Sequence, residues 1–423
     1  MIKNYFNSSE IQKNLLVLIW GTALAQMIPI LLQPILRRIY EPSDFGLFAI
    51  YTTLYGMLVA LANLKYESSI VLPKEDAEAS NLLVAGILTS FIFSLSLIIL
   101  VYFSNDFLMN LFSFPIELKK WLYLIPLSVF LLSSYQCINY WFIRKKAFKT
   151  SSLNKLVRRG SEGLVQVSAV SAFKSVGLIW GSIVGDFTNF FTGIWQLRRI
   201  HFPFKSVSWK SMKAAMLSYK DFPLYHAFPS FLNAISLTLP VLILNKSYGE
   251  EITGQFDLSR MILALPLALV SVSLSQVLLQ QFAEFIHLRK SLQKLFFKTF
   301  KLLILIAIPG VIIALFFSVS IFVFIFGDSW RMAGGMTQIL IISYAMKFIV
   351  SPLTVSFIAL KKVRWSATWQ VLYFGVMVSL FFVKIPQVND LLLLYVAIDI
   401  VFYLLYFLLS WRIVFNYEKS IPL

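Results

Sequence analysis

The chain has 423 residues, of which 58% are hydrophobic and only 13% are charged, whereas soluble domains carry about 25% charged residues. Its formal net charge is +17, and its one cysteine, Cys137, excludes an intrachain disulfide framework. Apolar stretches of roughly 20 residues recur along the sequence, and each can cross a bilayer as a helix. The sequence therefore predicts an all-α integral membrane protein rather than a nucleic-acid-binding domain.

Twelve apolar segments are predicted to span the membrane, six in each half of the chain. In order they cover residues 14–36, 46–63, 81–103, 120–143, 153–173, 177–197, 222–245, 255–279, 297–324, 333–360, 366–383 and 391–411. The longest polar connection follows the sixth span. We therefore predict an N-terminal six-helix lobe (1–205), a cytoplasmic inter-lobe linker (206–220) and a C-terminal six-helix lobe (221–423).

A short repeat supports this division into two similar halves. It matches Tyr40, Gly46 and Phe48 with Tyr248, Gly254 and Phe256, each at the same offset, close to half the chain length. Both copies follow the first long apolar segment of their half. Internal symmetry of this kind is typical of membrane transporters.

The distribution of positive charge predicts the orientation. Most of the 37 Lys and Arg residues lie in loops on the side of the two termini. The opposite loops contain only Arg37, Arg38, Lys119, Lys120, Lys174, Lys246, Arg331 and Lys384. Because positive loops stay in the cytoplasm, both termini are expected there.

Motifs for enzymatic chemistry are absent from the sequence. There is no G-x-x-x-x-G-K-[ST] phosphate loop, and His201, His226 and His287 have no partner at metal-ligand spacing. We therefore predict no catalytic residue, no metal site and no cofactor, and a protein that is not an enzyme.

Ionisable residues at predicted membrane depth are the candidate functional residues, because each costs about 2.5–3.5 kcal/mol at the bilayer centre. Arg260 and Lys347 lie in the eighth and tenth spans. We expect them to line a wet, positively charged chamber suited to a phosphate or diphosphate. Asp186 and Asp399, in the sixth and twelfth spans, are candidate proton or sodium sites.

Simpler structural roles remain open for the same residues. Arg158 or Arg159 has the spacing to pair with Glu162, and Arg260 with Asp257. For Lys347 and Asp399 the alternative is mutual neutralisation, and for Asp186 it is a hydrogen bond that bridges helices. Arg37 and Arg38 follow the outer end of the first predicted span, a position typical of residues that anchor a helix at the membrane interface.

Several collinear stretches resemble the polysaccharide/O-antigen flippase family of the multidrug/oligosaccharidyl-lipid/polysaccharide exporter superfamily. They are residues 39–46, 65–73, 139–148 and 254–260, with Pro266 and residues 275–277. The resemblance implies a MATE-like fold of twelve helices in two lobes and transport by alternating access. The implied substrate is an undecaprenyl-diphosphate-linked oligosaccharide, moved from the inner to the outer leaflet of a bacterial plasma membrane.

The resemblance also implies that Arg260 corresponds to a cavity arginine of related flippases. Lys65 stands where that family commonly has Arg, which keeps the charge without the bidentate geometry. The candidate substrate-binding residues are Arg260, Lys347, Arg37, Arg38, Arg159 and Lys65. Expected partners are membrane lipids, a polysaccharide polymerase and a chain-length regulator, with no nucleic acid.

Three other functions remain as alternatives. A MATE-type ion-coupled exporter of small molecules would be expected to have an acidic or aromatic cavity. A membrane glycan polymerase or ligase would typically need a large outer loop, which the sequence lacks. A scaffold without transport activity would not need charges at membrane depth.

Overall fold

The computed structural model describes residues 27–169 and 176–419, and within these ranges the regular elements are helices, with no strand. The chain divides into two compact units. The first comprises Met1–Thr238 with Gly249–Glu251, and the second comprises Leu239–Tyr248 with Ile252–Leu423.

In its described residues, the first unit contains six long helical segments and one shorter helix. They are α1 (27–39), α2 (Pro42–Ala62), α3 (Asp76–Phe112), α4 (Ile125–Arg144), α5 (Phe148–Ser168), α6 (Gly177–Arg199) and α7 (Trp209–Ser218). Short helices at Tyr66–Ser69, Leu118–Trp121 and Leu122–Leu124 join the longer ones. The first and fifth predicted spans extend into residues outside the described ranges.

Polar side chains tie the connections of the first unit to its helices. Arg144, at the end of α4, donates hydrogen bonds to the carbonyl oxygen of Pro73 at 2.6 Å and to Asp76 at 3.1 Å. The side-chain amide of Asn81 on α3 donates to the carbonyl oxygen of Ser206 at 2.9 Å and its oxygen accepts from the Ser208 N–H at 3.1 Å. Ser208 caps α7, so a helix lies within residues 206–220.

The second unit contains long helices that are interrupted at glycine and proline. They are α8 (Phe228–Pro266, which begins in the first unit), α9 (Val272–His287), α10 (Leu292–Phe326), α11 (Arg331–Val350), α12 (Val363–Leu380) and α13 (Val388–Lys419). Gly249 breaks α8 with a φ of 85°, a conformation that glycine adopts without strain. A π-helical turn, Leu267–Ser271, follows Pro266. Pro352 lies in a 3₁₀ turn, Ser351–Thr354, between α11 and the short helix Val355–Ala359.

Seven of the described helical segments are long and apolar enough to cross a membrane. Their ranges are Pro42–Ala62, Asp76–Phe112, Leu118–Arg144, Pro223–Pro266, Leu292–Phe326, Asp328–Ala359 and Val388–Lys419. On α10, Phe316 and Phe324 are among the exposed large apolar side chains. Such side chains are suited to lipid, and the chain is a multi-pass membrane protein.

The helices α10 and α11 approach each other closely at Gly334. A Cβ atom there would lie 2.6 Å from the Cα atom of Val319, and the Ser318 hydroxyl donates to the Gly334 carbonyl oxygen at 2.9 Å. A Cβ atom on the neighbouring Gly335 would meet nothing within 4 Å. Small residues at such crossings let membrane helices pack backbone to backbone.

We therefore predict that Gly334→Ala lowers the free energy of unfolding by about 1–3 kcal/mol, because the backbone of α10 must move. Gly335→Ala should be neutral or stabilising, by up to about 1 kcal/mol, because alanine has the higher helix propensity. Thermal unfolding of the purified protein in detergent compares the two variants. Equal unfolding temperatures would contradict the close crossing.

Candidate functional site

An ion pair at membrane depth lies at the centre of the second unit. The Nζ atom of Lys347 on α11 lies 2.5 Å from a carboxylate oxygen of Asp399 on α13. Asp399 is completely buried, and its other oxygen accepts a hydrogen bond from the Tyr373 hydroxyl at 2.7 Å. The Lys347 ammonium also donates to the Tyr395 hydroxyl at 3.0 Å. Lys347 is therefore paired with Asp399, which is one of the alternatives that the sequence left open.

Aromatic rings enclose this pair. The Lys347 Nζ atom lies 5.0 Å from the ring centre of Tyr344, 5.2 Å from that of Tyr395 and 5.7 Å from that of Tyr403. These distances allow cation–π attraction, which adds to the ion pair where water is excluded. Trp369 stacks on Tyr373 with ring centres 5.2 Å apart, so the ring that holds Asp399 is itself held by packing.

A second buried ion pair lies in the first unit. A guanidinium nitrogen of Arg158 on α5 lies 2.7 Å from a carboxylate oxygen of Asp186 on α6. Asp186 is completely buried. The neighbouring Arg159 pairs with Glu162 at 2.8 Å on the same helix, as the three-residue spacing allows. Both of these arginines have acidic partners within their unit.

Arg260 is more exposed than Lys347, although Tyr344 and Tyr395 lie near both cations. Its guanidinium lies 3.1 Å from the carboxylate of Asp257, one turn earlier on α8, and its side chain remains 26% exposed. Asp257 is also partly exposed. The adjacent Leu258 and Ser259 are buried, so Arg260 and Asp257 lie on the more accessible face of the helix. The Arg260 side chain is therefore more exposed than that of Lys347, which is 10% exposed.

The other candidate binding residues lie apart from this pair. Arg37 is buried, with its guanidinium 3.4 Å from the ring centre of Phe45 and a hydrogen bond of 3.0 Å to Gln33. Arg38 is exposed. Lys65 has a left-handed backbone conformation and pairs with the buried Glu67 at 3.4 Å.

Sequence reasoning did not identify the tyrosines around Lys347 or the pairing of Arg158 with Asp186. A tyrosine is apolar enough to belong to a membrane span, as Tyr373, Tyr395 and Tyr403 do. Their contacts with Lys347 or Asp399 depend on how neighbouring helices pack. The available signal was the position of these tyrosines in the interior of predicted spans, because tyrosines that only anchor a span lie near its ends.

Comparison with known proteins places the chain in context. A family model described as polysaccharide biosynthesis protein matches residues 35–334. No protein with a curated functional description matches the sequence. The family match covers most of the chain, including α2, Arg158, Asp186 and Arg260.

Several solved membrane transporters have a similar fold. An inward-facing multidrug resistance MATE family transporter of the MOP superfamily matches with a TM-score of 0.78 at 14% identity, over 94% of this chain and 96% of that chain. The lipid II flippase MurJ, in an inward closed conformation, matches with a TM-score of 0.66 at 14% identity, over 96% and 93%. A MOP superfamily transporter from Pyrococcus furiosus matches with a TM-score of 0.63 at 13% identity, over 96% and 95%. The predicted all-α, twelve-helix MATE-like fold is confirmed; at these identities the likeness shows the fold alone.

The buried pair generates a stability prediction. Asp399→Asn removes the countercharge of Lys347 and should lower the free energy of unfolding by about 3–5 kcal/mol, because a buried charge is left uncompensated. The matched control is Asp328→Asn. Asp328 pairs with Arg331 at 2.8 Å, with both side chains more than 60% exposed, so its loss should change stability by less than about 1 kcal/mol.

Thermal unfolding in detergent measures both effects. Lys347→Met combined with Asp399→Asn should recover part of the loss, because no charge then remains buried. A single Asp399→Asn variant as stable as the Asp328→Asn control would contradict the ion pair.

Proposed function

The chain belongs to the polysaccharide biosynthesis protein family, and on that premise we propose that it is a flippase for undecaprenyl-diphosphate-linked oligosaccharides. It would move these repeat units from the cytoplasmic to the outer leaflet by alternating access, for synthesis of O-antigen, capsule or exopolysaccharide. Support comes from the family match and from a fold similar to that of a lipid II flippase. The binding site for such a substrate must contain a residue that contacts the diphosphate.

Arg260 is the observation on which this proposal depends. Among the described residues its guanidinium has one acidic partner, Asp257, and the side chain is partly exposed. A diphosphate can accept two parallel hydrogen bonds from a guanidinium. The guanidinium has five N–H donors, so pairing with one carboxylate on the same helix leaves donors for the diphosphate. Arg260 is thus the proposed diphosphate contact, and the exposed Arg38 of the first unit stays a separate candidate substrate-binding residue. Arg37, Arg159 and Lys65 are engaged within the first unit and are proposed to act through its structure.

The Lys347–Asp399 pair has a different proposed role, in ion coupling. Protonation of Asp399 or binding of a sodium ion there would release the ammonium of Lys347, whose remaining neighbours are tyrosines. The pair would then alternate between a neutral and a charged state as the ion enters and leaves. Asp186, paired with Arg158, is the second candidate for the same role.

An apolar cavity beside Arg260 suits the lipid part of such a substrate. Its volume is about 320 Å³, and it lies between α8, α10 and α11. Ile262 and Leu263, two and three residues after Arg260, line it together with Phe322 and Tyr344. We propose that the first part of the polyprenyl chain lies there while the diphosphate contacts Arg260.

The charge distribution supports a location in the bacterial plasma membrane with both termini in the cytoplasm. Membrane lipids are then direct neighbours. A polysaccharide polymerase and a chain-length regulator are the proposed functional partners, because flipped repeat units must be polymerised.

Arg260→Ala should weaken binding of the lipid-linked diphosphate by about 10–100-fold, since hydrogen bonds to a charged group contribute about 1.5–3 kcal/mol. Complementation of a flippase-null strain should be lost at normal expression. Arg260→Lys should retain part of the activity, because it keeps the charge but not the bidentate geometry. Surface polysaccharide and accumulated lipid-linked repeat units are the measurements.

Two controls separate binding from local charge effects. Arg331→Ala removes an arginine with the same three-residue spacing to its aspartate, and it should leave surface polysaccharide unchanged. Arg260→Gln with Asp257→Asn keeps the site neutral and should still lose activity. Normal surface polysaccharide in this double variant would remove Arg260 from the mechanism, and loss of drug resistance instead would favour a MATE-type exporter.

If the Lys347–Asp399 pair couples transport to an ion gradient, translocation by the double variant Lys347→Met with Asp399→Asn should no longer depend on that gradient. In proteoliposomes, an imposed proton or sodium gradient should accelerate translocation by the wild-type protein. The double variant should lose this acceleration while binding the lipid-linked substrate as before, because Arg260 is intact. An unchanged response to both gradients would exclude the pair as the coupling site.

A further inference from the structure

A second cavity in the second unit lies far along α13 from the Lys347–Asp399 pair. Its volume is about 440 Å³, and it is lined by residues near the start of α12 and the end of α13. Its polar lining consists of Lys362, Trp365, Arg412, Asn416 and Tyr417. Nothing in the proposed transport cycle uses these residues, so the cavity requires a separate explanation.

The two cations of this cavity, Lys362 and Arg412, are exposed. Within the described ranges, no carboxylate lies within ion-pair distance of Lys362 or Arg412. By contrast, Arg144 and Lys145 share Asp76 in the first unit. Two positive charges around one cavity repel each other and favour an anion between them.

The nearest acid in the sequence is already engaged. A carboxylate oxygen of Glu418 accepts a hydrogen bond from the backbone N–H of Gln293 at 3.4 Å, and Glu418 is not part of the lining. The protein therefore leaves the anionic position of this cavity open to a ligand.

The remainder of the lining is apolar or amphipathic. Leu409 and Ile413 lie on one face of α13 with Arg412 and Asn416 beside them. The rings of Trp365 and Tyr417 have an apolar body and a polar end, a combination that favours the membrane interface. Half of the cavity thus suits hydrocarbon and half suits an anion.

Its position along the helices agrees with this lining. Lys361, Lys362 and Arg364 form a positive connection between the tenth and eleventh spans, which places this end of the protein at the cytoplasmic leaflet. That leaflet carries anionic lipids, and basic pockets between membrane helices bind their headgroups.

We infer that this cavity binds the phosphate headgroup of an anionic lipid in the cytoplasmic leaflet. Arg412 provides paired hydrogen bonds to phosphate oxygens, and Lys362 provides a compact charge. The indole N–H of Trp365 and the amide of Asn416 can donate to the same headgroup. The volume lies within the range of about 300–1,000 Å³ that is common for ligand sites.

Native mass spectrometry of the purified full-length protein tests this site. The wild type should retain one phosphatidylglycerol with at least a tenfold preference over phosphatidylcholine. Lys362→Ala combined with Arg412→Ala should lose this preference. Arg364→Ala combined with Lys301→Ala removes two exposed cations that do not line the cavity, and it should behave like the wild type.

The source of the phosphate is resolved by competition. Displacement of phosphatidylglycerol by undecaprenyl phosphate would identify the site as one for prenyl lipids, and resistance to displacement would identify a resident phospholipid. Retention of phosphatidylglycerol by the Lys362/Arg412 variant would overturn the inference, as would equal displacement by inorganic phosphate alone. Unchanged thermal unfolding of that variant confirms that it is folded.

Discussion

A carboxylate at membrane depth needs a countercharge from the protein, because lipid provides none. Two of the described carboxylates that show this constraint are completely buried, one in each unit. Asp186 lies on the last predicted span of the first half and Asp399 on that of the second half, and both are completely buried. Arg158 meets the first, and Lys347 meets the second. Each half thus has a buried acid on its last predicted span, and a residue of another helix neutralises it.

The two pairs differ in the packing of the helices that carry them. In the first unit, Gly181 and Gly185 let α6 approach α5 closely: a Cβ atom on Gly181 would lie 2.8 Å from the carbonyl oxygen of Glu162. Tyrosines lie near both pairs. Tyr55 and Tyr135 are close enough to Arg158 to interact with it electrostatically, and the hydroxyls of Tyr373 and Tyr395 hydrogen-bond to the second pair.

Accessibility sorts the cations of the second unit into three environments. Lys347 is nearly buried and neutralised, which suits coupling. Arg260 is paired but partly exposed, two residues before the first residue of an apolar cavity, and it is the proposed contact for a diphosphate. Lys362 and Arg412 are exposed and have no acidic partner among the described residues, which suits a headgroup at the leaflet surface. From the sequence, both Arg260 and Lys347 lie within predicted membrane spans, and both were expected to line the same chamber.

The sequence by itself determined the helical class, the membrane location, the positions of most spans and the fold family. It also indicated that Arg158 or Arg159 can pair with Glu162, because a spacing of three or four residues places both side chains on one face of a helix, and the structure selects Arg159. Only the tertiary structure decided that Lys347 meets Asp399, that Arg158 meets Asp186 and that Arg37 is buried. Contacts between helices depend on the rotation of each helix about its axis and on its shift along its neighbours. The spacing of residues along the chain determines neither the rotation nor the shift.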